Sequence, residues 1–251
     1  QGLPGTGKTL LLYDMAMKLS VRQQVCLIHC GEAVEQWKVL HERLRRVKYL
    51  ADSQITSDLL SGASAVLVDE AHLLSQEKLE YLLRYCGKRP VIFSSDYENM
   101  LSPEELDRAA VHALEQISGI QSFRLTNRIR TNAEISSFIQ NMMCLPERKK
   151  GRHFPHVTVL YANDDREADV LLSDAQHQGY QVILNEAEPA ICAGRLAMVL
   201  DQRYFYDRQN YLRSEDRSVR RLFHQLNGAK EELLLVVKQN EPLYAALLDL
   251  L

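Results

Sequence analysis

The segment Gly2-Leu3-Pro4-Gly5-Thr6-Gly7-Lys8-Thr9 constrains this chain more than any other stretch. It fits the pattern G-x-x-x-x-G-K-[S/T] at every fixed position. Its glycines let successive backbone N–H groups converge on phosphate oxygens, and a following helix adds its positive N-terminus. The spacing assigns Lys8 to the β- and γ-phosphates and the Thr9 hydroxyl to Mg²⁺. Leu10, Leu11, Met15 and Leu19 continue at helical spacing, so the loop opens a helix. Gly2 through Leu10 is therefore the candidate nucleotide-binding segment. Such a loop ordinarily hangs from a buried strand, so further residues are expected before Gln1.

A phosphate loop needs an acid at the end of a second strand. Ala65–Val68 is a short apolar run rich in β-branched residues, as a buried parallel strand should be. Asp69 and Glu70 follow at its carboxyl end, where ligands of open α/β sheets bind. Asp69 is expected to hold Mg²⁺ through water. Glu70 is expected to orient and deprotonate an attacking water.

Strand and helix signals alternate along the rest of the chain. Strands are expected over Gln24–Cys30 and Pro90–Ser95, and a helix over Glu35–Leu50. Ser102, Pro103, Glu105 and Gly119 punctuate another helix. Thr131 and Glu134 form a capping box that opens a helix with Ile135, Phe138, Ile139 and Met142 on one face. Cys144–His156 carries two prolines and a basic cluster, so it reads as a linker or surface loop. Beyond it, strands are expected over Val157–Tyr161, Tyr180–Leu184, Leu196–Leu200 and Leu233–Val237. Helices are expected over Asp165–Gln178, Val219–Glu231 and Pro242–Leu251. The pattern predicts two α/β lobes, residues 1–143 and 157–251, each with a parallel sheet flanked by helices.

Composition narrows the classes. With 46% hydrophobic residues, the chain can bury proper cores. A net charge of −3 gives no global basic field of a constitutive nucleic-acid binder. Five scattered cysteines read as reduced thiols. Cys26, His29 and Cys30 could suggest a metal, but on a strand His29 points away from the two cysteines, so core packing is expected. No apolar run approaches the ~18 residues of a membrane span, so a cytoplasmic protein is the simplest reading.

The stretches "GLPGTGKTLLLYDMA", "VLVDEAHLL", "VIFSSDYENMLS", "FRLTNRIRTNAEISSFI" and "VRRLFHQLNGAKEELLLVV" occur in this order. Together they resemble a superfamily 1 helicase core and, more narrowly, the Schlafen group 3-like helicase domain family. The resemblance implies two RecA-like phosphate-loop NTPase lobes with ATP between them. It places Asp96 as the acid of a third helicase motif. Asn99 stands where a γ-phosphate-sensing glutamine is usual. Arg130 matches an arginine that reaches the γ-phosphate across the cleft.

Two stretches depart from the family. "AICAGRLAMVLD" lacks a Gly-Gln-Glu-type stretch, and Asn227-Gly228 stand in place of a threonine-arginine pair. The departures lead to the expectation that residues are omitted near Gly194–Arg195 and Asn227–Gly228. The function implied is a helicase-like ATPase acting on single-stranded DNA or RNA. The alternative is a nucleotide-gated switch controlling a partner effector, as in a toxin or phage-defence system. A small-molecule kinase shares the loop, but Asp69-Glu70 suits water activation better.

Overall fold

The computed structural model describes residues 1–2, 5–31, 42–96, 101–103, 113–114, 116–126, 132–147, 153–184, 191–215 and 219–251. The chain divides into two compact units, Gln1–Asn127 and Arg128–Leu251. Both are mixed α/β, with parallel sheets flanked by helices.

In the first unit, α1 (Lys8–Ser20) follows the loop and leads to β1 (Val25–His29). Then come β2 (Val47–Ala51), α2 (Ser57–Ser61), β3 (Ala65–Asp69), α3 (Gln76–Cys86) and β4 (Val91–Phe93). The described strands lie in the order β2-β1-β3-β4, and every pairing is parallel. β3 is buried along its whole length, as a strand covered on both faces must be. The two-residue period of β1 splits its side chains between two cores. Val25 and Leu27 pack with Leu12 and Ala16 of α1. Cys26 and Ile28 pack with Leu79, Leu82 and Cys86 of α3.

One expectation is corrected here. Val47–Leu50 belongs to β2, not to the end of a helix; Val47 and Leu50 are buried while Lys48 is exposed. A short apolar run fits either period, and pairing with β1 decides it. In α1 the buried residues are Leu12 and Ala16, one turn apart, whereas Leu10 and Leu11 are exposed. The stretches of the expected helices over 35–41 and 104–112 lie outside the described residues.

The second unit begins its described part with α4 (Ala133–Met143). β5 (Val157–Ala162), α5 (Asp165–His177), β6 (Gln181–Ile183) and β7 (Ala193–Leu200) follow, then a hairpin of β8 (Tyr204–Tyr206) and β9 (Leu212–Ser214). α6 (Val219–Leu226), β10 (Ala229–Lys238) and α7 (Glu241–Leu248) complete it. The parallel sheet runs β5-β10-β7-β6, and β8 pairs with β9 antiparallel. Ala168, Leu172 and Ala175 of α5 pack on Ala162, Ala197, Leu234 and Val236. α4 packs on β10 and α6, so it belongs with this unit and not with a lobe ending at residue 143. Its N-cap is Asn132, whose Oδ1 accepts from the Glu134 backbone N–H at 2.9 Å. Thr131, the expected cap, lies outside the described residues.

The helix expected over Val219–Glu231 ends at Leu226, and β10 starts at Ala229. Gly228 forces the turn. Its N–H donates to Gln225 O at 2.9 Å, and a Cβ there would stand 2.0 Å from Ile191 O. Gly194 and Arg195 lie inside β7, where β10 opposes them with a bulge between Ala229 and Glu232. Gly194 and Arg195 thus lie in regular strand, and Asn227–Gly228 form a hydrogen-bonded turn. Gly228→Ala should destabilise the chain by about 1–3 kcal/mol in denaturant unfolding. Gly62→Ala, where an added Cβ meets nothing within 4 Å, should be nearly silent.

Candidate nucleotide-binding site

Parallel pairing gathers the carboxyl ends of β1, β3 and β4 at one edge of the first sheet. The register puts His29 beside Asp69 and Phe93 beside Val68. Residues 94–96 therefore emerge next to Asp69 and Glu70. The loop hangs from the same edge, since the Gly2 N–H donates to Ser95 O at 3.2 Å. Gly5 (φ 77°) and Gly7 (φ 86°) occupy the left-handed region that glycine tolerates. At Gly2, a Cβ would lie 2.6 Å from Thr6 Oγ1 and 3.0 Å from Leu125 O. Gly7 directly precedes α1, so the loop delivers its chain into a helix N-terminus.

Lys8 Nζ donates to Gly2 O at 2.7 Å and to Asp96 Oδ2 at 3.1 Å. The two side chains of this ion pair are only 8% and 2% exposed. Removing one partner of such a pair leaves an uncompensated buried charge. Asp69 is equally buried. Burial pushes its pKa up, but the approaches of His29 foremost, then Ser94 and Thr9, hold it below the ordinary aspartate value. His29 Nδ1 stands 3.5 Å from Asp69 Oδ2, and among the described residues neither carboxylate oxygen has a hydrogen-bond partner of close geometry. An ionised, buried and loosely contacted carboxylate next to a threonine is an oxygen donor set suited to a hard cation such as Mg²⁺. Asp69 and Thr9 are the residues that could hold it.

Glu70 has φ 51° and ψ 39°. A non-glycine residue held there stores strain of order 1–3 kcal/mol, and such strain gathers at functional sites. A 3₁₀ turn, Ala71–Leu73, follows and is tied to the end of β4 by Ala71 N–H donating to Ser94 O at 2.8 Å. Within this turn His72 is fully buried. The Asp96 backbone N–H donates to His72 Nδ1 at 3.3 Å. With Nδ1 accepting, the ring proton sits on Nε2, which faces Glu70 Oε2 at 3.4 Å. Contacts thus run without a break from Lys8 through Asp96 and His72 to Glu70.

Of the residues expected at the site, Gly2, Gly5, Thr6, Gly7, Lys8, Thr9, Asp69 and Glu70 come together at this edge. Leu10 lies in the first turn of α1 and is 53% exposed. Leu3, Pro4, Asn99 and Arg130 lie outside the described residues. Sequence reading assigned no role to His29 or His72. His72 was within sight, two residues past Glu70, but His29 enters only through the β1–β3 register. Cys26 and Cys30 sit in the core, and burial pushes the Cys26 thiol up to about 12. His72→Leu should cost about 1–3 kcal/mol in thermal or denaturant unfolding, because it removes the Nδ1 acceptor of the buried Asp96 N–H. His72→Asn, which keeps an acceptor near the Nδ1 position, should cost less.

No family model and no curated protein matches this chain. The narrower Schlafen-type resemblance therefore gains no support from these comparisons. Solved structures do match. The Pif1 helicase from Bacteroides in complex with ADP-AlF3 and ssDNA is 15% identical with a TM-score of 0.37, covering 71% of this chain and 52% of that one. Bacteroides Pif1 bound to ssDNA is 15% identical at a TM-score of 0.37, over 70% and 51%. The Pif1 helicase from Candida albicans is 13% identical at 0.35, over 70% and 50%. The chain spans about half the length of these helicases. At such identities and TM-scores, the functional assignment rests on the chain's own residues.

Proposed function

We propose that this chain binds and hydrolyses ATP as a helicase-like protein that acts on or senses single-stranded nucleic acid. The convergence of Lys8, Asp96, His72, Asp69 and Glu70 at the loop-bearing edge of one parallel sheet carries this reading. Backbone N–H groups of the glycine loop and the N-terminus of α1 bind the phosphates. Lys8 exchanges Asp96 for β- and γ-phosphate oxygens, which leaves the Asp96 carboxylate facing the site. Asp69 and Thr9 would hold Mg²⁺, which when bound would supply charge neutralisation at the phosphate oxygens. Glu70 accepts the proton of the attacking water, and His72 Nε2–H steadies the carboxylate. Asn99 and Arg130 are proposed, on the family resemblance, to sense and neutralise the γ-phosphate.

A second reading, a nucleotide-gated switch for a partner effector, is favoured by one observation. Asn227-Gly228 stand in the place of the usual threonine-arginine pair, and Gly228 leaves no room for a side chain. A switch tolerates slow hydrolysis, whereas a motor gains about 10³–10⁵ in rate from such an arginine. Among the described residues no helix is long and apolar enough to cross a membrane.

Glu70→Gln should retain ATP binding and slow turnover by about 10²–10⁴-fold in a phosphate-release assay, the usual contribution of a positioned general base. Turnover equal to wild type would remove Glu70 from this role. Single-stranded DNA or RNA should raise the wild-type rate, with the effect fading as salt rises. A rate indifferent to both would favour the switch.

A further inference from the structure

We propose that the second unit carries a nucleobase-binding pocket at the carboxyl ends of β7 and β10, formed by Gln202, Phe205, Asn210 and Gln239. β7 and β10 are adjacent parallel strands. Gln202 lies just beyond the first and Gln239 just beyond the second, in the position where open α/β sheets take ligands. The β8–β9 hairpin supplies Phe205 and Asn210. Between them lies a cavity of about 410 Å³, within the roughly 300–1,000 Å³ of small-molecule sites.

The chemistry of the lining points to one class of ligand. Among the described residues no lysine, arginine, aspartate or glutamate lines the cavity, which suits a ligand part that is neutral. Gln202, Asn210 and Gln239 are exposed, and their side-chain amides face solvent at the rim of the cavity. The Phe205 ring is 43% exposed. An aromatic face beside exposed amides suits a flat, neutral ring with donors and acceptors on its edge, which describes a nucleobase.

The framework around these groups is fixed in advance. Asn240 Nδ2 donates to Asp201 O at 2.9 Å and to Tyr204 O at 2.7 Å, and its Oδ1 accepts from Leu243 N–H at 3.2 Å. In the hairpin loop, Asp207 Oδ1 accepts from Gln209 N–H at 2.9 Å and Tyr211 N–H at 3.0 Å. Arg213 Nε donates to Asp207 Oδ2 at 2.7 Å. Two residues of the rim adopt a left-handed backbone. The non-glycine residues with positive φ among the described ones are Glu70, Asn210 (φ 62°) and Gln239 (φ 53°). One belongs to the phosphate-loop site, and the other two both line this cavity.

The base can arrive on a single strand, which rests on the nucleic-acid reading above, or as a free nucleoside, which does not. Fluorescence anisotropy of the full chain with a labelled short oligothymidylate, against an abasic strand of equal length, tests the pocket. The base-bearing strand should bind more tightly. Phe205→Ala should weaken it by about 5- to 100-fold, the effect of losing one base–aromatic stack. Asn210→Gly and Gln239→Gly keep the left-handed backbone and remove the amides; each should weaken binding by about threefold to tenfold.

Competition with unlabelled adenosine and uridine separates the sources. Displacement at concentrations comparable to the strand identifies a nucleoside site, and weak displacement identifies a strand site. Repeating the titrations in Lys8→Ala separates this pocket from the phosphate loop, because base binding should survive there. Equal binding of abasic and base-bearing strands, no effect of Phe205→Ala, or no binding of strand or nucleoside would each overturn the proposal.

Discussion

The side-by-side parallel pairing of β1, β3 and β4 sets the position of every charged group at the phosphate-loop edge. His29 and Asp69 are register partners, and β4 ends one pairing step before Ser94, Ser95 and Asp96 emerge. Shifting β3 by one residue would turn Asp69 into a helix-covered core and carry Val68 to the site. Burial on both faces makes such a slip costly, because Val66 and Val68 fill one apolar layer and Leu67 the opposite one. The helices pin the register, and the register places the acids.

Within that frame the site is held in a charged but internally matched state. The Lys8–Asp96 pair is nearly dry, and the same Asp96 anchors His72 through its backbone. Displacing the Lys8 ammonium toward a phosphate alters the charge next to His72, and His72 is the neighbour of Glu70. A link of this kind couples occupancy of the loop to the carboxylate proposed to activate water. Because every member of the link is buried or nearly so, low local dielectric strengthens each contact and penalises each vacancy.

Much of this was legible from residue order. The glycine spacing of Gly2–Thr9 dictates a loop before a helix, and the apolar run before Asp69 dictates a buried strand. β5 and α5 followed from the alternation of strand and helix signals; the cap at Asp164, whose Oδ1 accepts from Glu167 N–H at 2.8 Å, came only with the structure. What was not legible depends on partners distant in sequence. β2 is a strand because β1 offers it a ladder, and Val47–Leu50 alone cannot say so. α6 stops at Leu226 because Ile191 O crowds Gly228, a contact between segments far apart in the chain. The β8–β9 hairpin was missed because its strands are three residues each and its turn carries Asp207 and Asn210 without an Asn-Gly or Asp-Gly pair. His29 and His72 acquire roles only through their neighbours in space.

Isothermal titration calorimetry of Mg²⁺-ATP into the full chain and into Lys8→Ala is the most direct test of a nucleotide site at this edge. Wild type should bind with a single site, and Lys8→Ala should lose at least tenfold in affinity, since the ammonium is the cation within reach of the phosphates among the described residues of the loop. Undiminished binding in Lys8→Ala, with the variant folded by circular dichroism, would contradict the assignment of this edge as the nucleotide site.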